Sequence, residues 1–267
     1  MNTNIIINGA LGKVGKEILA CALADKTVRL AGCVEYAGHP SIGYDAGACI
    51  GQESAGVALS ADFTQMPVST SVIIDFTSPD TTASLIDGLM NKSASLVIGT
   101  TGIDGDGQEK IKKFSETHPV VFSPNMSLGV NLLFYLTELL SKKLGDDFDI
   151  EIIEAHHRFK KDSPSGTAKK LGEIAACARG LRYDTAIKNG RVGMVGERTK
   201  KEIGMHAVRG GDIIGDHTIL FAAMGERLEL RHMAHSRETF ARGAVMAAKW
   251  LSVQKPGLYS MREVLGL

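Results

Sequence analysis

Asn4-Ile5-Ile6-Ile7-Asn8-Gly9-Ala10-Leu11-Gly12-Lys13-Val14-Gly15 is the stretch on which the fold turns. An apolar run meets a glycine turn, and a helical pattern follows over residues 16–24. Strand, turn and helix stand in the order a dinucleotide-binding unit requires. The glycines read GxxGxxG rather than GxGxxG, but each has a physical task. Gly9 permits a tight turn, Gly12 lets the backbone approach a pyrophosphate, and Gly15 lets helix and strand pack closely. A second apolar run, 28–35, closes on Glu35, 20 residues after Gly15, where a partner for a ribose diol belongs. Tyr36 follows where a cation for a 2′-phosphate would stand, and apart from Lys13 no cation is near. NADH is therefore expected to serve at least as well as NADPH.

The alternation continues downstream. Residues 36–70 are rich in Gly, Ala and Ser and hold one strand pattern. Buried-type strands follow at 72–77, 95–99 and 120–123, separated by helices from Pro79 to about residue 91 and over 105–117. Such repetition predicts a parallel, doubly wound sheet whose ligands sit outside the carboxyl ends of the strands. Asp75-Phe76-Thr77, Gly99-Thr100-Thr101 and Ser123-Pro124-Asn125 all fall at such ends and predict a cofactor cleft.

An amphipathic helix over 131–144 leads into a second domain. It contains strands at 148–155, near 203–209 and 216–230, and turns at Gly210-Gly211 and Gly225-Glu226, which together predict a mixed or antiparallel sheet. Residues 180–198 carry no clear pattern. A last helix, 238–253, has Phe240, Ala244, Ala247, Ala248 and Leu251 on one face and should return to the first domain. The expected class is α/β: an N-terminal Rossmann-type doubly wound parallel sheet plus a C-terminal α+β domain with a mixed open sheet. The expected domains are 1–126 with 238–267, for the dinucleotide, and 127–237, for the substrate and oligomerisation.

Glu154-Ala155-His156-His157-Arg158-Phe159-Lys160-Lys161-Asp162-Ser163-Pro164-Ser165-Gly166-Thr167 is the chemically densest stretch. It follows a strand and opens a helix near Ser165. Ser163 or Ser165 can cap that helix, and Pro164 suits its first turn. The N–H groups of Gly166 and Thr167, at the positive end of the helix dipole, then form an anion pocket with Lys160 and His157. His156 is free to move a proton, because imidazole titrates near neutrality. Glu154-x-His156-His157 also invites a zinc reading. Neighbouring strand residues face opposite ways, however, and Arg158, Lys160 and Lys161 would repel a metal, so none is expected. His217, His232, His235 and Arg237 read as structural, and Val208 to Asp212 reads as a polar lining or simple hairpin chemistry.

Composition sets outer bounds. The chain has 267 residues, 44% apolar, with 30 Lys+Arg against 30 Asp+Glu, an ordinary globular balance that gives no reason to expect nucleic acid or an anionic membrane as partner. Cys21, Cys33, Cys49 and Cys177 form no CxxC pattern and read as reduced thiols of a cytoplasmic protein. No signal peptide or membrane-spanning run is seen at sequence level.

The His-His stretch Glu154-x-His156-His157-x-x-Lys160-x-Asp162-x-Pro164-Ser165-Gly166-Thr167 closely resembles the dihydrodipicolinate (4-hydroxy-tetrahydrodipicolinate) reductase family of lysine and diaminopimelate biosynthesis. The glycine turn, Gly99-Thr100-Thr101-Gly102 and the closing Tyr259-x-Met261-x-x-Val264-Leu265-Gly266-Leu267 share the resemblance. It implies NADH- or NADPH-dependent reduction of a small cyclic dicarboxylate by a homotetramer built through the second domain's sheet. By match, His156 is the general acid/base, Lys160 a proton donor, and His157, Gly166 and Thr167 bind a substrate carboxylate. Gly9, Ala10, Leu11, Gly12, Lys13, Val14, Glu35, Phe76, Gly99, Thr100, Thr101, Ser123, Pro124, Asn125 and Met126 would line the cofactor site. Leu11 stands where many members have a third glycine, which should crowd the pyrophosphate slightly while leaving the N–H donors in place. Phe159 replaces a further His, and Ser78 a basic residue. The alternatives are another two-domain reductase of an anionic metabolite, or an NAD(H)-sensing protein without turnover.

Overall fold

Ile5, Ile6 and Ile7 are all fully buried, yet they serve two different cores. Successive strand residues point to opposite faces, so a continuous apolar run is satisfied only where both faces of the sheet are covered. The structure, a computed structural model, describes residues 2–267; Met1, the first residue of the expected N-terminal domain, lies outside them.

The chain runs β1 (Thr3–Asn8), α1 (Gly15–Ala24), β2 (Val28–Val34), α2 (Ala46–Cys49), β3 (Leu59–Ser60), β4 (Val72–Asp75), α3 (Pro79–Leu89), β5 (Ser95–Ile98), α4 (Gly105–Ser115) and β6 (Pro119–Phe122). It continues through α5 (Leu128–Leu144), β7 (Asp149–His156), α6 (Gly166–Ala178), α7 (Tyr183–Ala186), β8 (Ile187–Asn189), β9 (Ile203–Arg209), β10 (Gly215–Ala223) and β11 (Glu226–Ala234). It ends with α8 (Glu238–Leu251), β12 (Gly257–Tyr259) and α9 (Met261–Leu265). Two compact units result, one reaching to Leu128 and completed by Arg237–Leu267, the other Gly129–Ser236. The expected breaks, after 126 and before 238, each move by one or two residues. Leu128 packs on the first unit's core, and Arg237 is the N-cap residue of α8.

The first unit is a parallel sheet of order β12-β6-β5-β4-β1-β2-β3. Ile5, Ile7, Val72, Ile74, Val97 and Val121 pack with Ile18 and Leu19 of α1 and with Ala241, Ala244, Ala248 and Leu251 of α8. Ile6, Ile73, Leu96, Ile98 and Val120 pack on the other face with Leu85, Ile86 and Leu89 of α3 and Phe114 of α4. The order reverses between β1 and β4, the switch point at which such sheets open a crevice. Residues 36–70 contribute only the two-residue β3, the single turn α2 and a short 3-10 turn, Val68–Thr70.

The second unit is a mixed sheet of order β11-β10-β7-β9-β8, with β10 antiparallel to both its neighbours and β7, β9 and β8 parallel. Along β7, Ile150, Ile152, Glu154 and His156 all face inward and are buried. The first two join a core with Leu171 and Ala175 of α6. The strand therefore carries its buried face from hydrocarbon to a carboxylate and an imidazole within eight residues.

Candidate active site

Within the first unit the glycine turn is tighter than its sequence spacing suggests. Gly9 has φ +77°, a conformation costly for any residue with a Cβ, and a Cβ on Gly15 would stand 1.9 Å from the Gly9 carbonyl oxygen. The N–H groups of Gly9 and Ala10 donate to Val34 O at 2.9 and 3.1 Å, and that of Gly12 to Gly9 O at 3.1 Å. Leu11 N–H donates to Glu35 Oε2 at 2.9 Å, so the acid at the end of β2 also braces the turn. The donors of residues 9–12 are thus spent inside the fold, which corrects the expectation that they remain in place for a phosphate. The turn leaves the N–H groups of Lys13 and Val14 and the first turn of α1, whose N-cap residue Val14 supplies no side-chain cap. Leu11 does not crowd this opening either: its side chain packs against the core shared by α1 and α8.

Two cavities, of about 490 and 530 Å³, share Gly12, Phe76 and Thr77. Gly12, Lys13, Val14, Phe76, Gly99, Thr100, Thr101, Pro124, Asn125 and Met126 line the first; Gly9, Gly12, Glu35 and Phe76 line the second. Of the expected cofactor residues, Ala10, Leu11 and Ser123 line neither. Ala10 is fully buried, and Ser123 instead donates its Oγ–H to Asn125 O at 2.8 Å and so shapes the loop. The structure adds Thr77, Tyr36, Asp62 and Phe240, the last from α8. A Cβ at Gly99 would lie 2.1 Å from the Phe76 ring, which explains why the ring can lie against that strand end.

Beneath these strand ends Asp75 is fully buried. It accepts hydrogen bonds from Asn8 Nδ2 at 2.7 Å, Thr77 Oγ1 at 2.8 Å, Thr100 Oγ1 at 3.0 Å and Thr82 Oγ1. Thr100 Oγ1 in turn accepts Thr77 N–H at 3.0 Å. Burial raises the Asp75 pKa above the ordinary carboxylate value against the pull of these four donors. One carboxylate thereby ties β1, β4, β5 and α3 together below the cleft.

In the second unit His156, 8% exposed, ends β7 with its Nδ1 2.6 Å from Oε2 of the fully buried Glu154. Arg209, opposite His156 on β9, grips the same carboxylate through Nη1 at 2.7 Å and Nη2 at 2.9 Å. Ser165 N–H donates to Glu154 Oε1 at 3.0 Å. Burial works to raise the Glu154 pKa, but the Arg209, His156 and Ser165 hydrogen bonds overcome it and hold the carboxyl below its ordinary value. Burial lowers the His156 pKa; Glu154 opposes this, Lys160 and Arg209 reinforce it, and the imidazole lies below its ordinary value.

Ser165 caps α6, accepting Ala168 N–H at 3.2 Å, and His217 Nε2 lies 3.0 Å from the same Oγ. Pro164 accordingly precedes the cap instead of sitting in the first turn, because Ser165 takes the N-cap position. Gly166 is exposed, and a Cβ there would meet nothing within 4 Å, so the first turn of α6 opens to its surroundings. Lys160 pairs with Asp162 at 2.9 Å, and Arg209 Nη2 donates to Asp162 O at 2.7 Å, which ties the loop back to the sheet. His157 is half-buried, its Nδ1 without a hydrogen-bond partner among the described residues, and Phe159 is largely exposed.

His217, which the sequence reads as structural, lies in this cluster. It is buried on β10 opposite Glu154, its ring 5.2 Å from that of His156, and burial together with His156 pushes its pKa down to about 3. Arg209, left open as lining or hairpin chemistry, is part of the same cluster. Strand register created both contacts; a count of two along β10 from Gly215 would have shown only that His217 faces inward. Among the described residues no group of three or more His, Cys, Asp or Glu is placed to hold a metal ion.

The family model for the dihydrodipicolinate reductase N-terminus matches residues 3–126, and that for the C-terminus matches 129–265. The chain is 48% identical over 265 residues to the 4-hydroxy-tetrahydrodipicolinate reductase of Hahella chejuensis, covering 99% of both chains. To that of Syntrophus aciditrophicus it is 45% identical over 261 residues, covering 98% of this chain and 97% of the relative. Its fold is similar to that of a dipicolinate-bound dihydrodipicolinate reductase from Paenisporosarcina sp. TG-14, with a TM-score of 0.76 at 23% identity over 98% of this chain and 99% of that one.

Proposed function

The chain belongs to the dihydrodipicolinate reductase family, and from that membership we propose that it reduces 4-hydroxy-tetrahydrodipicolinate to tetrahydrodipicolinate with NAD(P)H and loss of water, in lysine and diaminopimelate biosynthesis. The observation that carries the reading is the Glu154–His156 pair beside the open first turn of α6, a proton-transfer group next to an anion cradle. The substrate hydroxyl leaves as water with a proton from the neighbouring ring carbon, forming a carbon–carbon double bond, and one hydride and one proton then add across that bond. The cofactor, when bound, supplies the hydride. His156 acts as general acid/base, and Lys160 donates a proton and faces the negative charge that develops. His157, Gly166 and Thr167 bind a substrate carboxylate.

The first unit's residues fit a dinucleotide. The N–H groups of Lys13 and Val14 suit a pyrophosphate, and Glu35, though bonded to Leu11, keeps lone pairs for a ribose diol. Among the described residues, the cavity beside Glu35 is lined by two carboxylates, Glu35 and Asp62, and by no Lys or Arg, and Ser78 is the N-cap of α3 there. A 2′-phosphate would meet like charge, so NADH serves at least as well as NADPH.

Ile153, Val208 and Met233, 38%, 49% and 43% exposed, share the outer face of the second sheet, which supports assembly as a homotetramer through that face. Among the described residues no helix is long and apolar enough to cross a membrane. The cytoplasm is the proposed compartment, in keeping with the scattered cysteines.

The test is a mixture of protein, 4-hydroxy-tetrahydrodipicolinate and NADH, followed at the nicotinamide absorbance band with products weighed by mass spectrometry. Loss of absorbance with formation of tetrahydrodipicolinate is expected; no loss with either NADH or NADPH overturns the reading. A kcat/KM for NADPH far above that for NADH overturns the cofactor preference alone.

A further inference from the structure

The second unit contains a fully buried carboxylate whose part in the proton transfer has so far been given no atom-level account. Glu154 makes four hydrogen bonds: two from the Arg209 guanidinium, one from Ser165 N–H and one with His156 Nδ1. A surface ion pair contributes little, and a buried one of this kind contributes to stability only weakly against a well-packed apolar replacement. Its geometry has a definite chemical consequence. A carboxylate gripped by an arginine on two oxygens is ionised and can only accept hydrogen bonds. The partner nitrogen, Nδ1 of His156, must then be the one that carries hydrogen. The lone pair, or the second proton when the ring is charged, is left on Nε2.

We propose that Glu154 is a positioning residue that fixes His156 in its Nδ1–H tautomer and aims Nε2 as the working nitrogen, with Arg209 keeping the carboxylate ionised and in place. The inference rests on the reading of His156 as the proton-transfer group and says which of its atoms performs that task. The neighbouring strand also bears on how the ring is seated. Gly215, at the start of β10, passes the ring edge so closely that a Cβ there would lie 3.0 Å from Nε2 and 3.5 Å from Cδ2. A side chain at residue 215 would crowd the imidazole, so the glycine eases its fit beside the strand. The same carboxylate receives Ser165 N–H at the cap of α6, so one group aligns both the imidazole and the helix start that forms the anion cradle.

The charged and titratable groups around the ring come from each packed element: Glu154 on β7, Arg209 on β9, His217 on β10 and Lys160 on the following loop. Burial lowers the His156 pKa, Glu154 alone among these raises it, and Lys160 and Arg209 lower it further. Removing the Glu154 charge must therefore move the titration of His156 to lower pH.

The experiment is 15N NMR of histidine-labelled full-length protein, with His156 assigned from the spectrum of a His156→Ala variant, together with steady-state kinetics of Glu154→Gln. Wild-type protein should show a protonated Nδ1 and an unprotonated Nε2 above the titration midpoint. Glu154→Gln should move that midpoint down, lose the single tautomer, and lower kcat on the order of 10²-fold or more while leaving the Kd for NADH unchanged. A wild-type ring protonated on Nε2 overturns the proposal, as does a folded Glu154→Gln enzyme turning over within about twofold of wild type. If Glu154→Gln does not fold, the wild-type tautomer decides alone. Wild-type protein that fails to oxidise NADH with the substrate defeats the reading of the site and not the tautomer assignment, because the spectrum needs no turnover.

Discussion

Among the described residues Lys160 has no buried partner. Its side chain, 20% exposed, pairs with Asp162, itself 63% exposed, on the loop between β7 and α6. A lysine paired so lightly can exchange its carboxylate for a substrate anion at little cost, which suits a proton donor. Lys160→Ala is expected to reduce kcat on the order of 10²-fold or more with the NADH Kd unchanged. Stopped-flow turnover alongside fluorescence titration of NADH checks it, and a full-rate enzyme would remove Lys160 from the chemistry. At this scale the residues of the 154–167 stretch were readable because they are contiguous. The roles of His217 and Arg209 were not, since each lies on a different strand, more than 40 positions along the chain, and meets the cluster only through strand pairing.

Elements, in turn, decide how firmly those residues are held. α8 crosses the 123–127 loop so closely that a Cβ on Gly243 would lie 1.7 Å from Met126 O, a backbone atom that cannot swing aside. Gly243→Ala should therefore destabilise by about 1–3 kcal/mol or more and, because Met126 lines the cleft, weaken NADH binding. Thermal melting and an NADH titration check this together; a variant with unchanged Tm and Kd would show that the helix does not hold the loop. In the second unit, Glu151 of β7 binds Arg191, Arg198 and His206 and so fastens the 190–202 segment to the sheet. Burial opposes ionisation, but those partners pull the Glu151 pKa from 4.5 to about 2. A depressed carboxylate pKa stabilises the fold above the ordinary value, and that contribution is lost as pH falls through the window from 4.5 to about 2. Wild-type Tm should fall across this window by more than that of Glu151→Gln; parallel curves would mean Glu151 is not the linked group.

For the whole molecule, the exposed apolar residues on the outer face of β7, β9 and β11 predict assembly. Light scattering should give a mass about four times the 28.5 kDa of one chain, and a monomer mass at micromolar concentration would sink the tetramer. By itself the sequence determined the parallel sheet and its helices. Uninterrupted apolar runs such as Ile5-Ile6-Ile7 are stable only with both faces covered, and period, glycine and cap residues act over a few neighbouring positions. It also determined the chemical character of residues 154–167 and the capping of α6, for the same local reason. Only the tertiary structure decided that Leu11 N–H goes to Glu35, that Asp75 ties four elements beneath the cleft, and that Glu154, Arg209, His156 and His217 form one cluster. Those contacts join residues tens of positions apart, and their partners are chosen by strand order and register, which no local pattern encodes.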